Sequence, residues 1–288
     1  MKYRDRKGNE YDQTTGQDEL LAKAYGSVIG RGIMKCLALP LFSWASRFFL
    51  NSRFSSAFVL RFAERNDIDI FDYENKMYNS FNDFFIRRIK PGRRRIDSGR
   101  DIIVSPSDGK VSAYEITNSG VFVVKNSVYT VESLLRDTKL AKRFLGGTAF
   151  IIRLTPDDYH RYCYCTDGIK SHDREIKGVL RTVNPIANKY SPVYKENSRE
   201  YCLIRTDNIG DVIQMEVGAM MVGRIKNRHG EHDFLRGEEK GMFEFGGSTI
   251  VLLFEKDSIL IDKDIALNTR DGFETVVKYG EKIGRAAH

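Results

Sequence analysis

Two glycines and a serine interrupt an apolar, strand-like run near the end of the chain, MFEFGGSTIVLLF from Met242 to Phe254. Glycine weakens a strand, so the pair indicates a bulge, a tight bend or a peptide bond held under strain. At Gly247–Ser248 the missing side chains let the serine hydroxyl approach the preceding carbonyl carbon. Attack there gives an ester by N-to-O acyl shift. Elimination and hydrolysis then leave a pyruvoyl group on the downstream piece.

A serine that attacks a carbonyl needs a base, and two residues elsewhere in the chain are candidates for the supporting groups. Asp108, in SPSDGKV, is a carboxylate at a turn beside Gly109. His160, in LTPDDYHRYCYC, follows a Pro-Asp-Asp turn at the start of a strand-like run. An ordinary Asp-Gly turn and a structural histidine are the alternative interpretations when each residue is taken alone.

Several short blocks occur together in one order, and their combination is more specific than any one of them. The blocks are FNDFFIRRIKPGRR, PSDGKV, PDDYHRY, VGAMMVGRI, RGEEKGMFEFGGST and the terminal YGEKIG. They resemble the conserved blocks of the phosphatidylserine decarboxylases, including the glycine-serine-threonine cleavage motif of that family. The resemblance covers roughly residues 70 to 284.

The resemblance implies that the protein cuts itself between Gly247 and Ser248, giving chains of residues 1–247 and 248–288. Ser248 matches the serine that becomes the pyruvoyl cofactor, and Asp108 matches the aspartate of an Asp-His-Ser relay. Thr249 belongs to the same motif and is a secondary candidate. The implied reaction converts phosphatidylserine to phosphatidylethanolamine and CO2.

The histidine block departs from the family pattern. Many members carry D-Y-H-R-x-H, whereas this chain keeps the first histidine as His160 and has Cys163 in place of the second. Positions three apart on a regular strand point to opposite faces, and a thiol with an unperturbed pKa of ~8.5 is a poor base near neutral pH. His160 is therefore predicted to activate Ser248, with Asp108 holding its ring. The other candidates for the base are His172, His229 and His232.

The pyruvoyl chemistry requires no external cofactor, and the sequence predicts no metal site. Gly30-Arg31-Gly32 lacks the full spacing and the preceding strand of a dinucleotide loop. The formal net charge of +7 suits a partner that carries phosphate or carboxylate. The predicted partners are phosphatidylserine, an anionic membrane surface and the two chains of one precursor. A homodimer is left open, and nucleic acid is not expected.

The sequence pattern changes from helical to β-rich near residue 99. The first ninety residues are interpreted as helical, and from Asp101 onward short β-rich runs alternate with turns. This favours an α+β fold: a helical N-terminal region, residues 1–98, followed by a mostly antiparallel β barrel or sandwich as catalytic domain, residues 99–288.

The N-terminal region is also the predicted membrane contact. The run from Cys36 to Ser46 is too short to span a bilayer, which takes ~20 apolar residues. Leu41 to Arg65 is interpreted as one helix, rich in Phe and Arg, that either covers a core or lies at a membrane interface. The charged N-terminal sequence shows no secretory signal, so we expect a peripheral protein on the cytoplasmic side of the cell membrane.

Two other functions fit the same residues. One is a pyruvoyl-dependent decarboxylase of a soluble amino acid. The other is a β-rich lipid-binding protein that has lost self-processing, a hypothesis that Cys163 raises.

Overall fold

A computed structural model describes most of the chain. It describes residues 2–12, 26–27, 30, 32, 40–74, 77–99, 101–124, 127–179, 193–219, 224–244, 246 and 248–287. These ranges include Gly30 and Gly32 but not Arg31, Cys36 or Gly247.

β-strands form most of the regular structure from residue 102 onward. In chain order the strands are β1 (Lys2–Arg4), β2 (Glu10–Asp12), β3 (Ile102–Val104), β4 (Gly109–Glu115), β5 (Val121–Val124), β6 (Ser127–Thr130), β7 (Thr148–Leu154), β8 (Arg161–Cys163), β9 (Gly168–Lys170), β10 (Arg174–Ile176), β11 (Arg199–Arg205), β12 (Asp211–Gly218), β13 (Ile225–Asn227), β14 (His232–Phe234), β15 (Glu239–Phe243), β16 (Ser248–Phe254), β17 (Ile259–Ile261), β18 (Glu274–Val277) and β19 (Lys282–Ala286).

The described helices are short, and three of the seven α-helices named here precede β3. The α-helices are α1 (Pro40–Leu50), α2 (Val59–Arg65), α3 (Phe81–Phe85), α4 (Val131–Leu135), α5 (Thr138–Ala141), α6 (Val193–Glu196) and α7 (Lys263–Arg270). Single 3-10 turns occur at Arg53–Phe58, Ile70–Asp72 and Lys142–Phe144. None of the helices in the described ranges is long and apolar enough to cross a membrane.

One large sheet organises the β-rich part, in the order β14-β9-β11-β12-β16-β7-β4-β18-β1-β2, with β10 paired to β11. Two smaller sheets, β13-β15-β8 and β17-β19-β3, and the hairpin β5-β6 accompany it. The strand pairs are antiparallel except β1 with β18. The predicted mixed α and β fold with mostly antiparallel sheet is therefore confirmed. The described strands of the large sheet do not close into a barrel, because β14 and β2 remain at its two ends.

Strand β16 lies inside the large sheet, between β12 and β7. Its alternate side chains enter two cores: Ile250, Leu252 and Phe254 pack in one, and Val251 and Leu253 in the other. A strand that is covered on both faces is expected to be continuously apolar, which explains the sequence IVLLF after the serine and threonine.

The first residues differ from the helical prediction. Strands β1 and β2 form a hairpin in which Tyr3 stacks on Tyr11 with 5.2 Å between ring centroids. Arg4 bridges Glu10 at 2.6 Å and Asp271 at 3.1 Å. These cross-strand and long-range contacts stabilise an edge of the large sheet, so a helical prediction for all of the first ninety residues is wrong.

The single helix predicted over Leu41–Arg65 is also wrong, because the chain leaves the helix at Asn51-Ser52. The Asn51 side-chain amide donates to the Arg47 carbonyl at 2.8 Å, and the Ser52 hydroxyl donates to the Phe49 carbonyl at 2.6 Å. Such side chains compete with the backbone for helical partners and favour an end or a turn. A 3-10 turn and then α2 follow the break.

Helices α2 and α3 pack on each other through a small aromatic core. Val59, Ala63, Phe81, Phe84 and Phe85 are its buried members. Helix α3 begins at Ser80, whose hydroxyl accepts the Asp83 N–H at 3.1 Å, an N-cap that satisfies one of the free donors of the first turn. The ring of Phe85 reaches the β-rich part, where it contacts His160 with 4.0 Å between ring centroids.

Candidate active site

The segment that joins β15 to β16 changes sheet. Strand β15 pairs with β8 and β13 in a three-stranded sheet, whereas β16 begins at Ser248 inside the large sheet. Gly246 in this connection has a φ of +137°, a backbone conformation that favours glycine. Gly246 thus lies between a strand of the small sheet and a strand of the large sheet, two residues before Ser248.

Ser248 is fully buried at the start of β16, opposite Leu154 of β7 and Gly218 of β12. Side chains alternate along a strand, so Ser248 shares its face with Ile250 and Leu252. That face carries the core that also contains Tyr162 of β8 and Phe243 of β15. Among the described residues, no donor or acceptor lies within hydrogen-bonding distance of its Oγ atom. A buried hydroxyl without a partner is costly, and such atoms concentrate at functional sites.

His160 lies directly before β8, on the side of the large sheet that Ser248 faces. Its carbonyl accepts the N–H of Phe243 at 2.9 Å. Its Nδ1 lies 2.9 Å from the backbone carbonyl of Asp158. A carbonyl can only accept, so Nδ1 carries the proton and Nε2 of the neutral ring presents a lone pair. Nε2 is buried and has no hydrogen-bond partner in the described ranges.

Burial lowers the pKa of His160 to about 4, and the Asp158 carbonyl opposes this effect only in part. The nearby cations Arg87 and Lys110 lower the pKa of His160 further. At neutral pH the imidazole is therefore uncharged and in the form that accepts a proton at Nε2.

Two short connections link His160 to the end of the large sheet at which Ser248 lies. Leu154, opposite Ser248, is six residues before His160, and Phe243, hydrogen-bonded to His160, is five residues before Ser248. The two side chains do not hydrogen-bond to each other, since neither Oγ nor Nε2 has a partner among the described residues. Within that part of the chain, the structure thus holds a buried hydroxyl and a buried imidazole lone pair without partners.

Asp108 lies at this same sheet end, just before β4. Lys110, Arg153 and Thr249 occupy one row across β4, β7 and β16, so Asp108 precedes that row by two residues and Ser248 by one. With strands ~4.8 Å apart, β4 and β16 are ~10 Å from each other. The close packing at β4 requires Gly109, where a Cβ atom would lie 2.8 Å from the Arg153 carbonyl oxygen.

The carboxylate of Asp108 is buried and has its own partners. Arg94 donates to its Oδ2 at 3.0 Å, and the backbone N–H of Tyr279 donates to its Oδ1 at 2.7 Å. The sequence predicts that Asp108 holds the His160 ring, but in this structure the Asp158 carbonyl occupies Nδ1. The structure does not bring Asp108 into contact with His160.

Cys163 is fully buried on β8, and its Sγ approaches the Ser105 carbonyl oxygen at 3.9 Å. Burial raises the pKa of Cys163 to about 12, so the thiol stays protonated near neutral pH. Cys163, Cys165 and Cys202 are free thiols. The hydroxyl of Thr249 is also buried without a partner among the residues that the structure describes, but it lies on the opposite face of β16 from Ser248.

Sequence reasoning missed the groups that hold His160. Asp158 is one of them: its carboxylate accepts from Lys110 at 2.8 Å and from the Thr155 N–H at 2.7 Å, and the Lys110 charge holds its pKa well below the usual range. Arg87, fully buried, donates to the Asp157 and Asp158 carbonyls at 3.0 and 3.3 Å. Both residues lie in the quoted blocks, but backbone carbonyl contacts leave no signal in side-chain spacing.

The chain matches the family model for phosphatidylserine decarboxylase over residues 81–285. It is 46% identical over 261 residues to phosphatidylserine decarboxylase proenzyme 2 of Clostridium acetobutylicum, covering 90% of this chain and 89% of the relative. It is 40% identical to the phosphatidylserine decarboxylase proenzyme of Ruminiclostridium cellulolyticum, covering 97% and 95%. Identity to the proenzyme of that name from Desulfitobacterium hafniense is 37%, covering 99% and 98%.

These matches define a class of decarboxylating enzymes, the carboxy-lyases, whose named members are made as proenzymes. The chain belongs to the phosphatidylserine decarboxylase family. The family resemblance and the decarboxylase activity predicted from the sequence blocks are confirmed.

Proposed function

We propose that this enzyme decarboxylates phosphatidylserine to phosphatidylethanolamine with a pyruvoyl group that it makes from Ser248. The observation that carries the proposal is the pair of buried atoms without partners among the described residues, Ser248 Oγ at the start of β16 and His160 Nε2 in the connection from β7 to β8. Self-cleavage requires at least a nucleophile and a base.

In the proposed cleavage, His160 accepts the hydroxyl proton at Nε2 as Ser248 Oγ attacks the carbonyl carbon of Gly247. The carbonyl–nitrogen bond breaks and an ester links Gly247 to the Ser248 side chain. Loss of the Ser248 α-proton then releases Gly247 as a carboxylate and leaves dehydroalanine on the small chain. Water converts this group to pyruvoyl and frees ammonia. Gly247 lies outside the described residues, so its place in the scheme stands on the sequence motif.

Ser248 fits the origin of the pyruvoyl group, because its hydroxyl is buried in an apolar region and has no partner among the described residues. The ketone of a pyruvoyl group binds a substrate amine covalently and withdraws the electrons released with CO2. In this scheme His160 has a second role, because it also moves a proton during decarboxylation. One histidine can serve both roles, because cleavage happens once and precedes turnover.

Asp108 is proposed as the acidic member of the relay. Its burial and its place at the same sheet end support this role. Arg94 and the Tyr279 N–H occupy its carboxylate, so the role requires that Asp108 exchange Arg94 for the histidine during cleavage. Cys163 is proposed as a structural residue, because a thiol with a pKa of about 12 is protonated at neutral pH.

The proposed membrane contact is the exposed apolar surface around α1 and α2, on the cytoplasmic side of the membrane. Phe48 is 76% exposed, Phe54 85% and Leu60 65%. Arg53 and Arg61 are exposed beside them. An apolar surface of this kind suits insertion at the lipid interface, and anionic cytoplasmic lipids attract the arginines by about 1 kcal/mol each.

The division into residues 1–98 and 99–288, and a sandwich rather than a barrel for the second part, are also proposals. Residues of β8 and β15 lie in the same hydrophobic core as residues of β7 and β16, which supports packing of the small sheet on the large one. The pairing of β1 with β18 is an exception to this proposed division, because it joins residues near the N-terminus to the large sheet.

Intact mass of freshly purified, denatured protein tests the proposal. We expect two chains, 1–247 and 248–288, with the small chain lighter by one ammonia molecule than the same peptide with N-terminal serine. A single uncut chain, or a small chain with free serine, would refute it. Activity on phosphatidylserine vesicles but not on free serine or tryptophan separates this function from soluble amino acid decarboxylation.

A further inference from the structure

Two histidines and a glutamate come together in the connections that flank β14. His229 lies in the loop after β13, His232 is the first residue of β14, and Glu238 directly precedes β15. One nitrogen or oxygen ligand atom from each lies within 4.8 Å of the others. The centroids of the two imidazole rings are 4.1 Å apart, and His232 Nε2 lies 2.8 Å from Glu238 Oε1.

We propose that His229, His232 and Glu238 bind a divalent zinc ion. Imidazole nitrogen and carboxylate oxygen are both zinc ligands, at ~2.0–2.2 Å from the metal, and three protein ligands leave a fourth position for water. Ligand atoms of a tetrahedral site lie ~3.3 Å from one another, so the contact of His232 with Glu238 already has nearly the required separation. Zinc would replace the hydrogen bond between His232 Nε2 and Glu238 Oε1 with two metal–ligand bonds.

Buried groups outside the three ligands hold them in place. The hydroxyl of Tyr164 lies 3.2 Å from Nδ1 of His229, which leaves Nε2 of that ring for the metal. Tyr164 is itself buried and stacks on Phe234 with 3.6 Å between ring centroids. The ammonium of Lys170, also buried, donates to the His229 carbonyl at 2.6 Å. A metal-binding histidine usually has its other nitrogen held by such a partner.

The position of the site indicates a structural ion. Glu238 precedes β15, whereas Ser248 follows its other end, and five strand residues span ~17 Å. The ion therefore lies away from the candidate catalytic groups and joins the loop after β13 to the turn between β14 and β15. Strand β15 carries the chain to the cleavage segment, so zinc is expected to stabilise the element that delivers Ser248 to its sheet. This inference does not depend on the proposed catalytic roles.

The side-chain chemistry selects the probe. Zinc and Co2+ accept nitrogen ligands, whereas Mg2+ prefers oxygen ligands and retains its water. Purified processed enzyme is treated with chelator, dialysed and titrated with ZnCl2 by calorimetry. We expect one zinc ion per large chain, a rise in melting temperature with ZnCl2 but not with MgCl2, and the visible absorption of four-coordinate Co2+ when cobalt is the probe.

Substitutions decide whether these three residues are the ligands. His232→Ala and Glu238→Gln should each weaken zinc binding by about ten-fold or more, because even loss of a supporting partner costs ~10–100-fold. Tyr164→Phe should weaken it less than the ligand variants. His172 is the matched control: its ring lies beside Gly230 in the same region but outside the ligand set, so His172→Ala should bind normally.

Three results would overturn the proposal: no zinc bound at one per large chain, equal affinity in His232→Ala and the unchanged protein, or loss of binding in His172→Ala alone. Glu238→Gln removes only a charge, and circular dichroism establishes that each variant is folded. Decarboxylase activity is not the readout, so failure of this proposal is distinct from failure of the proposed function.

Discussion

The pH dependence of self-cleavage distinguishes the two residues that the histidine block offers as a base. Burial lowers the pKa of His160 to about 4 and raises that of Cys163 to about 12. A base works in its deprotonated form, so the two assignments predict different profiles for the same buried serine.

The size of the difference follows from these pKa values. With a pKa of about 4, His160 is ~90% neutral at pH 5 and ~99% neutral at pH 6, so cleavage through it is almost flat from pH 6 to 8. Below pH 5 the rate falls, to about half at pH 4. With a pKa of about 12, the Cys163 thiolate increases about ten-fold with every pH unit, so cleavage through it rises about 100-fold between pH 6 and 8.

The assay follows precursor that has just been made. Cell-free synthesis in a short labelled pulse supplies the precursor, which is moved to buffers between pH 4 and 8. Its disappearance is followed on denaturing gels. Cys163→Ser should retain the flat profile and nearly the full rate, whereas folded His160→Ala should accumulate uncut precursor. A slope of one decade per pH unit, or a stalled Cys163→Ser variant beside a normal His160→Ala variant, would refute the assignment.

Four further outcomes are expected. Ser248→Ala should remain one chain without activity, because the nucleophile is gone, whereas Ser248→Cys should yield little pyruvoyl; intact mass reports both. Asp108→Asn should slow precursor disappearance on the same gels, and a normal rate would remove Asp108 from the relay. Phe54→Ala should weaken binding to vesicles that contain phosphatidylserine, and the binding that remains should still fall as salt rises. Leu235 is 72% exposed outside the proposed membrane contact, so Leu235→Ala should leave vesicle binding unchanged. In uncut Ser248→Ala protein, unfolding free energy should fall by about 3 kcal/mol from pH 7 to 4 through His160. Between pH 6.5 and 4 the unfolded chain binds a proton at His160 that the folded chain does not, so this part of the stability rises with pH, and His160→Gln should abolish it in urea titrations.

The sequence predicted the strands around the site well, because burial leaves a local signal there. The run after Ser248 is apolar at every position, and it forms β16 between two cores. The β-rich region that the sequence indicated from Asp101 onward contains most of the strands, among them β4, β7 and β12. Because little helix separates the β-rich runs, the sequence also predicted mostly antiparallel pairing.

The N-terminal errors have a different cause. Strand β1 pairs with β18, near the opposite end of the chain, and no local pattern indicates such a partner. The helix break at Asn51-Ser52 involves neither proline nor glycine, and depends on side-chain bonds to nearby carbonyls. Propensity over a window does not resolve that competition.

The candidate site shows the same limit at finer scale. Ser248 and His160 were found because their residue types occur in recognisable blocks. The group on Nδ1 of His160 was not found, since it is the backbone carbonyl of Asp158 and every residue has one. Likewise, the spacing of His229 and His232 is visible in the sequence, but the approach of Glu238 depends on the turn between β14 and β15.

The buried atoms without partners connect the stability of the precursor to its chemistry. An unsatisfied buried polar group costs ~1–3 kcal/mol, and the described part of the chain leaves both Ser248 Oγ and His160 Nε2 in this state. Such a cost persists only where the surrounding packing fixes the groups, and β16 has a core on each face. Conversion of Ser248 to pyruvoyl would remove the unpaired hydroxyl, while the pairing of β16 with β7 and β12 would remain. The same apolar strand can therefore fix the position of Ser248 before the proposed cut and retain the small chain after it.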